Sequence, residues 1–166
     1  FALGLFDDPY KYSNPTREAQ NIYTAAHREA SRRIARESMV LLQNENEILP
    51  LSGDIERLAL IGPLADSQAD MLGAWHGAGR AEECVSLLTG LREALGDDVQ
   101  IDYQQGTTVA EEDRSGFAAA IAAARAADAI VVAAGENWWM SGEAASRAEI
   151  DIPGLQSELI QELASL

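Results

Sequence analysis

Glu136 and Glu143 stand in one short stretch, GENWWMSGEAASRAEIDIP (residues 135–153), together with Trp138, Trp139, Met140 and Arg147. A carboxyl group held beside indole and thioether surface is partly desolvated, which favours its protonated form and suits it to general-acid work. Tryptophan faces next to carboxylates also suit sugars, whose axial C–H groups pack on indole. A second reading makes Glu136, Glu143, Glu149 and Asp151 a solvated acidic loop and places the tryptophans in the core. The pattern alone leaves both readings open.

Other chemistries find less support. A dinucleotide or P-loop site needs G-x-G-x-x-G or G-x-x-x-x-G-K-[ST] directly at a strand end. Gly62-Pro63-Leu64-Ala65-Asp66 offers neither the spacing nor a lysine, and the glycine-rich GAWHGAG (73–79) lies well downstream. His27 and His76 fall in different segments without H-x-x-x-H or H-E-x-x-H spacing, so no metal is expected, and His76 reads as a surface or subsite residue. Ser141 and Ser146 lack a G-x-S-x-G elbow and a neighbouring histidine. The single Cys84, among Ala, Val and Leu, reads as a small buried hydrophobe. No cofactor is implied. The net charge of −15 disfavours nucleic acid or an anionic membrane as partner, even with Arg28, Arg32, Arg33 and Arg36 on one helix. No apolar run approaches the roughly 20 residues of a membrane span.

The elements that must position the loop follow from hydrophobic period. With 47% hydrophobic and 23% charged residues in 166, the chain has the balance of a globular domain with a sizeable core. Residues 1–15 read as a linker; Thr16 is placed to cap a helix from Arg17, and Ala26–Asn44 carries a second helical period. RLALI (57–61) is a first strand ended by Gly62-Pro63, followed by a loop over 66–81 with Gly73, Trp75, Gly77 and Gly79. Glu82–Leu95 predicts a helix with Val85, Leu88, Leu91 and Leu95 inward. Val99–Tyr103 alternates as a half-buried strand, suited to a sheet edge; Ser115–Ala127 is alanine-rich helix, with Phe117 and Ile121 inward. Ala129–Ala134 is an unbroken apolar run, read as a fully buried parallel strand, and Gly154–Leu166 is a last helix. Strands alternating with helices predict an α/β fold with a parallel sheet and right-handed crossovers. Three strands leave an apolar edge open, so both ends are expected to be cut from something longer. In such sheets ligands bind at the loops leaving the carboxyl ends of the strands, where the glutamate-bearing loop lies.

Several segments, in order, resemble the glycoside hydrolase family 3 enzymes of the bacterial β-glucosidase type. LGLFDDPY (3–10) resembles the close of that family's barrel domain. HREASRRIARESMVLLQNENEILPL (27–51) is similar to the helix and tether entering its second domain, with the pattern A-x-x-S-x-V-L-L-x-N. LALIGPLAD (58–66) resembles the first strand and turn, Gly73 to Trp75 the recurring G-x-W, and GENWWMSGEAASRAEIDIPGLQ (135–156) the acid-bearing loop. The resemblance implies an incomplete three-layer α/β/α sandwich, flavodoxin-like, over residues 27–166. Residues 1–26 are then the end of the barrel domain and the linker. It implies a retaining exo-acting β-glycosidase taking β-glucosides or β-linked oligosaccharides, exported to periplasm or medium, with its own barrel domain as partner. A barrel aspartate would be the nucleophile and Glu143, which matches the glutamate before x-x-[SD]-R, the acid/base. Glu136 is the competitor. Arg147 then braces the loop, and Trp75, Trp138 and Met140 line the leaving-group side, unless they are core. Without the barrel, this chain is expected to be inactive. A flavodoxin-like regulatory module or a non-catalytic carbohydrate-binding piece is the alternative.

Overall fold

The run RLALI forms β1 (Arg57–Ile61), the central strand of a three-stranded sheet of order β2-β1-β3, with β2 at Gln100–Gln104 and β3 at Ala129–Val132. Both pairings are parallel: Leu60 stands opposite Tyr103 on one side and Val131 on the other. A computed structural model describes all 166 residues, divided into two units, Phe1–Ile48 and Leu49–Leu166.

In the first unit no residue is buried. Turns over residues 1–13 lead into α1 (Pro15–Asn21), which starts earlier than Thr16 would place it. Asn14 is the cap: its side chain accepts the Arg17 N–H at 2.9 Å, and Pro15 occupies the first turn, where no N–H is needed. The helix ends before Thr24, whose hydroxyl caps α2 (Ala25–Ser38). The expected continuation to Asn44 does not form. Ser38 bonds back to the Ala35 carbonyl at 2.8 Å, Met39 turns extended, and a single helical turn at Glu45–Glu47 follows. Arg28, Arg32, Arg33 and Arg36 are all exposed on α2.

The second unit is layered. Leu58, Ala59, Leu60 and Ile61 are wholly buried because each face of β1 is covered. Burial of this kind contributes about 1.5–3 kcal/mol for each large aliphatic side chain. Ala59 and Ile61 pack against α4 (Phe117–Arg125) and α5 (Gln156–Ala164) through Phe117, Ala120, Leu159 and Leu163. Leu60 faces α3 (Leu87–Leu95) through Leu88 and Leu91, with Ile101, Tyr103 and Val131 beside it. This is an α/β/α arrangement, and the 2-1-3 strand order is that of flavodoxin-like sheets. Arg114 holds α5 from the start of α4, bonding Glu158 and Glu162 while its guanidinium lies over the Phe117 ring.

Four further expectations need correction. The helix predicted from Glu82 begins at Leu87, because Ser86 caps it by accepting the Thr89 N–H; Val85 lies outside and is exposed. The alanine-rich helix is shorter at both ends than predicted, and β3 is only partly buried, with Ile130 37% exposed, because it is an edge of the sheet. Cys84 is not a core residue but sits half-buried in the turn after Ala81–Glu83.

Tyr103 gives the fold a pH dependence. Burial first, and the charge of Asp66 second, push its hydroxyl above the usual tyrosine range. The unfolded chain then loses this proton at lower pH than the folded one. The associated stability is complete below the ordinary tyrosine value of about 10 and is lost as pH rises through the folded value. Urea midpoints measured from about pH 8 upward should fall above about pH 10, and Tyr103→Phe should flatten that decline.

Candidate functional site

All three strands are parallel, so the loops 62–86, 105–116 and 133–155 leave the same edge of the sheet. The backbone ladder continues briefly past the strands, with Gly62 N–H donating to Gln104 O at 3.0 Å and Ala133 N–H to Ile61 O at 2.8 Å. The loop after β1 therefore starts alongside the loop after β3. Its first turn is anchored by Leu88 N–H to Ala65 O and by the buried Ser86 hydroxyl to Asp66 at 2.7 Å.

Asp70 joins the two loops. One carboxylate oxygen accepts the Ser67 hydroxyl, and the other accepts the Trp138 N–H at 2.7 Å. Trp138 begins a single helical turn, Trp138–Met140, and its ring meets His76 edge-on at 5.7 Å. Gly142 comes close to the other loop as well. A Cβ added there would stand 2.9 Å from the Ala74 Cβ, and its φ of +110° is one that residues with side chains avoid. The GAWHGAG segment thus forms the wall on which the glutamate loop rests.

Within that loop the two candidate carboxylates have different surroundings. Glu136 accepts from Arg147 Nη1 at 2.7 Å, and Arg147 Nη2 donates to the Asp151 carbonyl at 2.8 Å. Arg147 is the more sheltered of the pair, with 22% of its side chain exposed against 42% for Glu136. Glu143 takes no part in these bonds and is exposed. The expectation that tryptophans desolvate the carboxyl within this chain is not met. Trp138 and Trp139 are 40% and 55% exposed and Trp75 75%, so none is a core residue, while Met140 is half-buried. Glu149 and Asp151 are exposed, and with Arg147 they border an open hollow of about 640 Å³ that runs to Gln161 on α5. No group of His, Cys, Asp and Glu is arranged to hold a metal, and no helix is long and apolar enough to cross a membrane.

Two residues that sequence reading passed over hold this arrangement: Asp70 and Gln156. Ser67-x-x-Asp70 is a legible turn signal, but its reach to Trp138 spans two strands. Gln156 is 1% exposed, and its amide contacts the backbone at Gly135, Pro153 and Val109. Asp70→Ala removes an acceptor from Trp138 and Ser67, at a cost of about 1.5–3 kcal/mol for charge-assisted bonds of this kind. Amide exchange at Trp138 should accelerate in that variant and stay near wild type in Asp70→Asn, which keeps an acceptor oxygen.

The chain matches the family model described as "Glycosyl hydrolase family 3 C-terminal domain" over residues 39–166. It is 39% identical to a periplasmic beta-glucosidase of Salmonella typhimurium over 98% of this chain and 24% of that protein. It is 35% identical to a beta-xylosidase of Formosa agariphila over 98% of this chain and 23% of that protein. Among solved structures it is similar to a mutant beta-glucosidase from Listeria innocua in complex with laminaribiose, with a TM-score of 0.84 and 35% identity over 99% of this chain and 22% of that one. The chain therefore spans about a quarter of the length of these relatives. Matched over most of its length by the family model and along nearly all of it by such relatives, the chain belongs to glycosyl hydrolase family 3.

Proposed function

We propose that this chain supplies the general acid/base of a retaining, exo-acting β-glycosidase that releases terminal non-reducing β-D-glucosyl residues, and that Glu143 is that group. The nucleophilic aspartate lies on a barrel domain outside this chain. Residues 1–26 close that barrel and link it to the sandwich domain begun by residues 27–166. In a retaining enzyme the two carboxyl groups stand about 5–5.5 Å apart across the scissile bond, so the acid must project from its own domain.

The observation that carries the assignment is the division of labour between the two glutamates. Glu136 is engaged by Arg147, which also ties down the Asp151 carbonyl, and so braces the loop. Glu143, next to Gly142 where the loop crosses the Ala74 wall, is exposed and uncommitted. A proton donor needs free access to the leaving-group oxygen. Trp75, Trp138 and Met140 line the leaving-group side in this reading, with Arg147 as the brace. A β-glucoside or β-linked oligosaccharide is the substrate class, supported by the names of the Salmonella and Listeria relatives. The Salmonella relative's name also supports a periplasmic or secreted setting. The chain by itself, lacking the nucleophile, is inactive.

The exposure of Trp75, Trp138 and Trp139 favours a second reading, sugar binding without chemistry. Comparing Glu143→Ala and Glu136→Ala in the full-length enzyme separates the two. With a poor leaving group, Glu143→Ala should lose about 10²–10⁴-fold in kcat/KM, the usual contribution of general-acid catalysis. With an activated aryl β-glucoside it should keep glycosylation, and azide should restore turnover as the β-glycosyl azide. Rescue confined to Glu136→Ala moves the acid to Glu136. Unchanged hydrolysis in both variants supports binding without chemistry.

A further inference from the structure

We propose that Gln156 is the positioning residue of the acid-bearing loop: its buried side-chain amide staples the two ends of residues 135–153 together and thereby fixes where Glu143 is presented. The proposal rests on the reading of Glu143 as the acid/base.

The geometry is specific to an amide of this length. Oε1 accepts the Gly135 N–H at 2.9 Å, and Nε2 lies 2.9 Å from the Gly135 carbonyl. Gln156 therefore pairs with both backbone groups of the residue at which the β3 run ends, as a neighbouring strand would. The same nitrogen lies 3.0 Å from the Pro153 carbonyl, where the loop turns towards α5, and 2.9 Å from the Val109 carbonyl in the loop after β2. Its two N–H hydrogens serve three carbonyls, so one is shared. No carboxylate, hydroxyl or aliphatic side chain offers this combination of one acceptor and two donors.

The staple is fixed to something rigid. Gln156 is the first residue of α5, and Leu159 and Leu163 of the same helix are 1% and 4% exposed in the core. Core packing thus holds the amide, and the amide holds the loop ends. A site held within about half an ångström needs this kind of support, because side chains on unsupported loops lose alignment. Gln156 touches no substrate in this scheme. Loosening the loop ends lets Glu143 wander from the leaving-group oxygen, which slows only the reactions that need its proton.

The test uses the full-length enzyme with Gln156→Met, which removes all four contacts, and Gln156→Glu, which keeps the volume and the acceptor but loses the paired donors. Hydrogen exchange over residues 135–153 should rise at least about tenfold in both, because protection is lost when the bonds holding a segment open. The kcat/KM for a poor-leaving-group aryl β-glycoside should fall about 10- to 100-fold, part of the contribution of general-acid catalysis. An activated aryl glycoside should stay within about threefold, because its departure needs little protonation. Unchanged loop exchange overturns the staple. Faster exchange with both substrates slowed equally, or neither slowed, overturns the positioning role and leaves a purely structural one. Glu143→Ala assayed in parallel keeps the two failures apart: if it lacks the leaving-group dependence, the acid assignment fails, while the exchange data still decide the staple. Should Gln156→Met not fold, Gln156→Glu carries the same readouts.

Discussion

The site depends on a close approach between two backbones. At Gly62, where β1 ends, a Cβ would stand 2.2 Å from the Ala133 carbonyl oxygen, and φ is +128°. Only glycine fits such a place. The absence of a side chain lets the chain leave β1 in contact with the chain leaving β3, and the two loops run side by side from their first residues. Two restraints on the glutamate loop follow from that adjacency: Asp70 reaches Trp138, and Gly142 crosses against Ala74. The fully buried β1, covered on both faces and hydrogen-bonded along both edges, supplies the rigid base.

From that base the loop is held at its two ends and across its middle. Gln156 joins Gly135 to Pro153, Arg147 joins Glu136 to Asp151, and Asp70 fixes Trp138. Of the two candidate glutamates, Glu143 is the one these restraints leave exposed and unengaged. A general acid works best where water is excluded and its proton is poised near the working pH. The tryptophans do not supply that shelter inside this chain.

The sheet was legible because its signals are local. RLALI ending in Gly-Pro and the apolar run before Gly135 could be little else than strands, and the alternation in Val99–Tyr103 pointed to the edge position that β2 occupies. Helix boundaries were harder. Ser86 and Asn14 are good caps, but apolar periodicity around Val85 and Thr16's position outweighed them. Met39–Leu42 shows the opposite fault: an apolar run that extends a helical period on paper leaves the helix at Ser38. The glutamate loop was legible as a place because its composition is unusual. Its fastening was not, because the roles of Gln156 and Asp70 consist of bonds to residues distant in the chain. A buried amide and an exposed one read alike in sequence.

The most direct measurement is a structure of the full-length enzyme holding an unhydrolysed β-linked disaccharide analogue, with the distances from both glutamates to the bridging atom. The account predicts a Glu143 carboxyl oxygen about 2.6–3.2 Å from that atom, within hydrogen-bond reach, and Glu136 still on Arg147. Glu136 at the bridging atom, or Glu143 turned away into solvent with substrate bound, would contradict it.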